Sequence, residues 1–292
     1  MSTVREVASI LRKFTFKELK FLKLLGRLTK SFSIIPYSVL RQRSGLSNGD
    51  IEFLVKRLQD YKLIRRSGIG IRLLSAGLDA LALHSLRVRG ILDALGPPIA
   101  VGKESDVFEG ISPKGEVYAV KFFRIGRTSF RGIKRARGYV EDRIHEWNVI
   151  NVKSAKREFE ILTELSEKKC PVPVPIAVAY HVLGMKEYLA LPLFKIKKLD
   201  DPLKVFEKAL EAVKKCVFEG GYVHSDLSEF NVLVDSKGDV LIIDWPQAVK
   251  LGGVSSKDKL LRDITNLTNY FNRKYRLSLN LDEVLLPFIE RF

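Results

Sequence analysis

Cysteine is scarce in this 292-residue chain: Cys170 and Cys216 are the only two, far apart, and neither belongs to a Cys-x-x-Cys or Cys/His cluster. Thiolate metal ligation therefore has little support, and buried, inert thiols are expected. Long apolar runs are missing as well. No stretch approaches the roughly 18 residues that a membrane helix needs, and the opening MSTVREVASILRKF carries charge where a signal peptide would have its apolar segment. The expectation is a soluble, cytoplasmic chain without a membrane partner. There is no internal repeat and no low-complexity tract. A Gly-x-Gly-x-x-Gly run and a Walker A sequence are also lacking, which excludes the two familiar glycine-rich phosphate cradles.

Acidic residues are the minority charge. Lys plus Arg number 50 against 34 for Asp plus Glu, giving a formal +16 and a sequence pI near 9.7. Such an excess favours contact with a polyanion, although a solvated basic surface of the kind found in Lys-, Arg- and Glu-rich thermophile proteins has the same composition. With 46% hydrophobic residues a sizeable core is available, and the length fits two domains or one large one.

The first 85 or so residues read as helices closed by a short hairpin. Phe16, Leu19, Leu22 and Leu25 recur at helical spacing, Pro36 suits the start of PYSVLRQRSG, and Gly45 suits its end. Ser47 or Asn48 can cap DIEFLVKRLQDYKLI, whose Ile51, Leu54, Leu58 and Tyr61 share a face. Two helices around LSNG, followed by the strand pair of LIRRSGIGIRLL, predict a winged helix over 1–85. In that geometry Lys56 and Arg57 of the second helix and Arg65 and Arg66 of the wing stand near nucleic-acid phosphates, with a protein-interaction module as the alternative. SAGLDALALHSL forms a further helix, and Gly96-Pro97-Pro98 marks a connector over 86–98.

Beyond it the pattern turns to strands first and helices later. IAVGKESDVFEGI and GEVYAVKFFRI alternate around SPKG as a hairpin. AKREFEILTELSEK is helical, YLALPLF strand-like, DPLKVFEKALEAVKKCVFEGG a long helix and VLVDSKGDVLIIDW a second hairpin. The expected fold is α+β: the winged helix, then a minimal two-lobed kinase-like domain over 99–292, with an N-lobe to 191, a hinge at 192–195 and a C-lobe from 196. Arg124 to Asn148 is basic and without a period, a long loop of the kind that tends to be functional or disordered.

The strongest chemical signal is YVHSDLSEFNVLV followed by LIIDWPQ. Phosphoryl transfer asks little covalent chemistry of a protein. It needs a carboxylate beside the attacking oxygen and oxygen ligands for the magnesium that neutralises the phosphates. Asp226 and Asn231 have the Asp-x-x-x-x-Asn spacing of such a loop, and the hairpin after Asn231 returns the chain so that Asp244 can reach the same metal. Lys121, ending AVK on a strand, suits a phosphate-orienting lysine held by Glu158, or by Glu160, of the next helix. In VGKESDVFEG, Lys103, Glu104 and Ser105 form a polar turn that can face a nucleotide. His84, His145 and His181 show no ligand spacing.

GKESDVF, YVHSDLSEFNVLV and IIDWPQ, in this order behind a winged helix, resemble the RIO atypical serine/threonine kinases, in archaeal-like form of the Rio2 type, and the resemblance covers essentially the whole chain. It implies a kinase fold in which Ser105 contacts the triphosphate of ATP, Lys121 orients the phosphates with Glu158, Asp226 is the catalytic aspartate, and Asn231 and Asp244 bind Mg2+ (or Mn2+). It also implies phosphorylation of Asp244 during ATP hydrolysis, autophosphorylation at Thr128 or Ser129 in the 124–148 loop, and a role in maturation of the small ribosomal subunit. The partners would be the pre-small subunit with its rRNA and proteins, met by a chain that is monomeric when free. In agreement, no Ala-Pro-Glu motif follows Asp244. Two departures stand out. The hinge reads Leu191-Pro192-Leu193-Phe194 where Met-Glu-Leu is expected, so that adenine would use the Pro192 carbonyl and the Phe194 N–H; and Trp245 replaces the usual Phe. Two rival readings are an ATP-sensing assembly factor with little turnover, and a small-molecule kinase. The latter predicts an acidic pocket after the catalytic loop, whereas Lys250, Lys257, Lys259, Arg262 and Arg273 make that segment basic.

Overall fold

The computed structural model describes residues 4–126, 137–253 and 255–291; Thr128 and Ser129 lie outside them. The chain divides into two compact units, Met1–Lys156 with Ile176–Met185, and Arg157–Pro175 with Lys186–Phe292.

The first unit opens with α1 (Val4–Leu11) and α2 (Phe16–Leu28). Thr15 starts α2 with a capping box: its hydroxyl accepts the Glu18 N–H at 3.2 Å, and the Glu18 carboxylate accepts the Thr15 N–H at 2.7 Å. Strand β1 (Ile35–Pro36) leads into α3 (Tyr37–Ser44), which stops at Gly45 in the left-handed region, φ 65°. Ser47 then caps α4 (Asn48–Asp60). The wing is β2 (Ile64–Arg66) and β3 (Gly70–Leu73), and with β1 these form a sheet of order β1-β3-β2. Gly70 is required there, since a Cβ would meet the Ile35 carbonyl oxygen at 2.1 Å. Helix α5 (Ser75–Val88) completes the winged helix that the sequence predicts.

No connector follows. Residues 86–88 are the end of α5, and Ala94–Val101 is a strand, β4, carrying Pro97 and Pro98. It pairs with β5 (Ser105–Ile111), with register shifts either side of Pro98. The prolines are tolerated because β4 is an edge strand, where a missing N–H faces no neighbour. The sheet continues through β6 (Val117–Phe123), is followed in the chain by α6 (Arg137–Glu167), and ends with β7 (Pro175–Ala179) and β8 (Val182–Lys186), in the order β4-β5-β6-β8-β7. The latter part of the segment expected to lack regular structure, from 137 onward, is thus helix.

Winged helix and sheet share one hydrophobic core, in which Leu25, Leu81 and Leu86 pack with Phe108, Phe122 and Val182. Burying each such side chain contributes about 1.5–3 kcal/mol. A polar cluster sits inside this core. Arg124, just after β6, donates to both Asp79 carboxylate oxygens on α5 at 2.8 and 2.9 Å and to Asp106 on β5 at 3.3 Å, while the His181 Nε2 lies 2.7 Å from Asp79. Burial alone would raise the Asp79 carboxyl, yet Arg124 and His181 hold it below its ordinary range. Burial pushes the His181 imidazole down despite that neighbour.

The second unit contains β9 (Ala190–Pro192), a 3-10 turn Leu193–Lys195 and α7 (Pro202–Lys214), which Asp201 caps and which runs into a π-turn at Lys215–Glu219. Then come β10 (Tyr222–Val223), β11 (Val232–Asp235), β12 (Val240–Ile242), β13 (Val249–Lys250), α8 (Ser256–Tyr275) and α9 (Leu281–Ile289). The strands make a sheet of order β12-β11-β9 and a β10-β13 pair. Phe206 of α7 and Phe271 of α8 pack at 5.2 Å in the core. Cys170 and Cys216 are buried, free thiols, as expected.

Candidate active site

Strand β10 delivers the chain into His224-Ser225-Asp226, and the loop that follows is pinned from several sides. Ser225 has φ 71°, a left-handed conformation that costs a non-glycine residue energy and persists only where its surroundings enforce it. Asp263, buried on α8, enforces it: its two carboxylate oxygens accept the Ser225 N–H at 2.7 Å and the Leu227 N–H at 3.1 Å, one on each side of Asp226. Arg262 donates to the Ser225 carbonyl. Asp226 itself is exposed at the tip.

His224 ties this loop to the strand that brings Asp244. Its Nε2 donates to the Ile243 carbonyl at 2.8 Å and its Nδ1 accepts the Asp226 N–H at 3.3 Å, an arrangement that requires the neutral imidazole. Burial also pushes its pKa down. Asp244 repeats the backbone device of Ser225, with φ 71°. After it, Trp245 is fully buried, gives its indole N–H to the Ile242 carbonyl at 2.9 Å and meets His224 edge-on at 4.7 Å. The larger ring thus serves as a packed wedge between the two chemical loops.

Asn231 and Asp244 suit a hard divalent cation. The Asn231 Nδ2 donates to the Asp226 carbonyl at 2.9 Å, which leaves the amide oxygen as the ligating atom, and the Ile243 N–H bonds the Asn231 carbonyl at 2.9 Å, extending the β11–β12 pairing to the residue before Asp244. Among the described residues no cluster of three His, Cys, Asp or Glu side chains forms a cage. Magnesium needs none, since it binds through one or two protein ligands and completes its shell with phosphate oxygens and water. Glu158 is buried, and its carboxylate accepts the Trp245 N–H at 3.1 Å.

In the first unit, Lys103 and Glu104 occupy the turn between β4 and β5, and Ser105 is the first residue of β5. The turn is closed by the Gly102 N–H on the Ser105 carbonyl at 2.8 Å and by the Arg124 N–H on the Glu104 carbonyl at 2.6 Å. Lys103 and Glu104 are exposed and Ser105 half-buried. Lys121 lies on β6 opposite Val107, buried, with its ammonium 4.7 Å from the Phe123 ring.

Several of the expected contacts are already engaged within the protein. The Phe194 N–H, expected to bind adenine, already donates to the Glu229 carbonyl at 3.1 Å, so a nucleotide would have to displace that bond. Pro192 pairs with Leu233 in the β9–β11 ladder. Of the nucleic-acid candidates, Arg57 is held against buried Glu18 at 3.1 Å and lies over the Tyr61 ring, and Arg66 pairs with Glu52 at 2.6 Å. Lys56 and Arg65 are exposed. Missed by the sequence reading was Asp263, whose signal was an acid on the apolar face formed by Leu260, Ile264 and Leu267.

The RIO domain family matches residues 106–284, and the Rio2 N-terminal family matches residues 11–89. The RIO-type serine/threonine-protein kinase Rio2 of Methanocaldococcus jannaschii is 38% identical over 249 residues, 83% of this chain and 91% of that protein. The Schizosaccharomyces pombe serine/threonine-protein kinase rio2 is 31% identical over 85% of this chain and 73% of its own length. Among solved structures, the Rio2 kinase of Chaetomium thermophilum in its ADP/Mg2+-phosphoaspartate complex superposes with a TM-score of 0.80 at 26% identity, covering 94% of this chain and 86% of that one. With both its N-terminal module and its catalytic half matched, the chain belongs to the RIO family of serine/threonine-protein kinases, in the Rio2 branch.

Proposed function

We propose that the protein transfers the γ-phosphoryl group of Mg2+-bound ATP during maturation of the small ribosomal subunit, acting as kinase, ATPase or both. The observation that carries this reading is the loop holding Asp226, Asn231 and Asp244, with its two strained backbone positions fixed by Asp263 and His224. Preorganisation of that kind supplies most of what phosphoryl transfer asks of a protein. In the reaction, Asn231 and Asp244 would hold the metal, which would neutralise charge on the phosphates, Ser105 and Lys121 would meet the phosphates, and Asp226 would orient the attacking oxygen. A phosphoaspartate cycle at Asp244 follows the chemistry named for the Chaetomium thermophilum complex: the carboxylate oxygen bonds to the γ-phosphorus, ADP leaves, and water later releases phosphate. The pre-small subunit, with its rRNA and proteins, is the partner of a cytoplasmic, free-state monomer.

The test is phosphate release and self-labelling from Mg2+-ATP by wild type, Asp226→Asn and Asp244→Asn, with and without small-subunit particles. Wild-type turnover with both variants silent is expected. Three indistinguishable proteins that still bind ATP would replace catalysis with the ATP-sensing assembly factor.

A further inference from the structure

The cations that the winged-helix pattern assigns to nucleic acid are partly neutralised, Arg57 by Glu18 and Arg66 by Glu52. The opposite condition holds on another face of the first unit. There α1, α2, α5 and the start of β4 enclose a cavity of about 630 Å3, with Arg5, Arg12 and Arg87 around it and Leu83 and Phe14 in its walls. A second cavity of about 430 Å3, ringed by Lys20, Lys23 and Arg27, shares the wall formed by His84 and Val88. None of these six cations has an ion pair or a side-chain hydrogen bond among the described residues, and Asp93 is the single acid lining either cavity. The His84 Nε2, on the shared wall, is buried without a hydrogen-bond partner. Burial first, then Lys23 and Arg87, push its imidazole down, so that at neutral pH this wall is an uncharged polar group between two cationic rims.

Uncompensated cations that line adjoining concavities describe a ligand with repeated negative charge and some apolar body. We propose that this α1–α2–α5 face, and not the α4–wing surface, grips the sugar-phosphate backbone of an RNA strand, neighbouring phosphates lying over the two cavities and a phosphate oxygen or ribose hydroxyl meeting His84. The proposal rests on the reading above only in supposing an RNA-containing partner. Fixed spacing favours RNA over a lipid surface, because the cations ring two hollows instead of edging one exposed apolar plane.

The experiment is fluorescence anisotropy of a labelled RNA hairpin with the full-length protein across a salt series, alongside Arg12→Glu/Arg87→Glu, the milder Arg12→Gln/Arg87→Gln, and Lys56→Glu/Arg65→Glu at the wing. Each lost phosphate contact flattens the slope of log K against log salt by about 0.7–0.9. The Glu pair should weaken binding at least tenfold and lower the slope by roughly 1.5, the Gln pair should move the same way by less, and the wing pair should leave the slope in place. If the wing pair alone abolishes binding, or if both cavity pairs bind RNA like wild type, or if the protein takes up phosphatidylserine vesicles and no RNA, the proposal is overturned. ATP turnover on the same samples separates the questions: the Gln pair retains it, whereas Asp244→Asn loses it and keeps its RNA affinity.

Discussion

Asp263 accepts two N–H groups that flank Asp226, and it does so from 36 and 38 residues further along the chain. A motif is a local pattern, so Asp226, Asn231 and Asp244 were legible from spacing, while the carboxylate that shapes their loop was not. The same limit explains the hinge. Whether the Phe194 N–H is available depends on Glu229, a partner no local reading can place. Asp263→Asn keeps the volume and loses one of the two acceptors. The loop then shifts on the scale of the roughly 1 Å misplacement that lowers rates about 10²-fold. The expected result is a kcat decrease of that order with a KM for ATP within about threefold of wild type, read by steady-state phosphate release. A KM rise with kcat intact would show that Asp263 serves binding instead of loop geometry.

Among the elements, β4 was the least readable. Gly96-Pro97-Pro98 has linker composition by any propensity scale, and only the strand's place at a sheet edge lets it pair. Helices α2 to α5, α7 and the hairpins were readable because caps, turn glycines and apolar periods agreed, whereas the part of α6 from 137 to 148 read as a loop. The Asp79–Arg124–His181 cluster joins α5 to β6 and β8 through side chains distant in sequence, and it too was invisible beforehand. Removing one partner of a buried ion pair leaves the other charged and unsolvated, at a cost of about 3–5 kcal/mol. Asp79→Asn is therefore expected to lower the urea midpoint accordingly. A variant as stable as wild type would show that Asp106, 3.3 Å from Arg124, suffices to compensate the guanidinium when Asp79 no longer does.

For the whole molecule the balance of buried titratable groups sets a pH response. His84, His181 and His224 all have folded pKa values depressed by burial. The unfolded chain then binds more protons than the folded one below the ordinary histidine pKa, so stability rises with pH up to about 6.5 and levels off above it. Asp263, whose carboxyl burial raises, acts with the opposite sign but is one group against three. Thermal melts should accordingly show a lower Tm at pH 5.5 than at pH 7.5, and a flat or inverted profile would show that the raised carboxyl of Asp263 outweighs the histidines.

The core that runs without interruption from α5 into the five-stranded sheet bears on how the protein can be dissected. A fragment cut at Gly96-Pro97-Pro98, where the sequence invites the cut, would strip β5 of its outer neighbour from Phe108 to Ile111 and leave a bare ladder edge beside exposed Phe108 and Val120. Open edges with apolar flanks recruit other chains. The excised catalytic piece should precipitate, and its failure to transfer phosphate would report aggregation, with no bearing on whether the winged helix takes part in the chemistry.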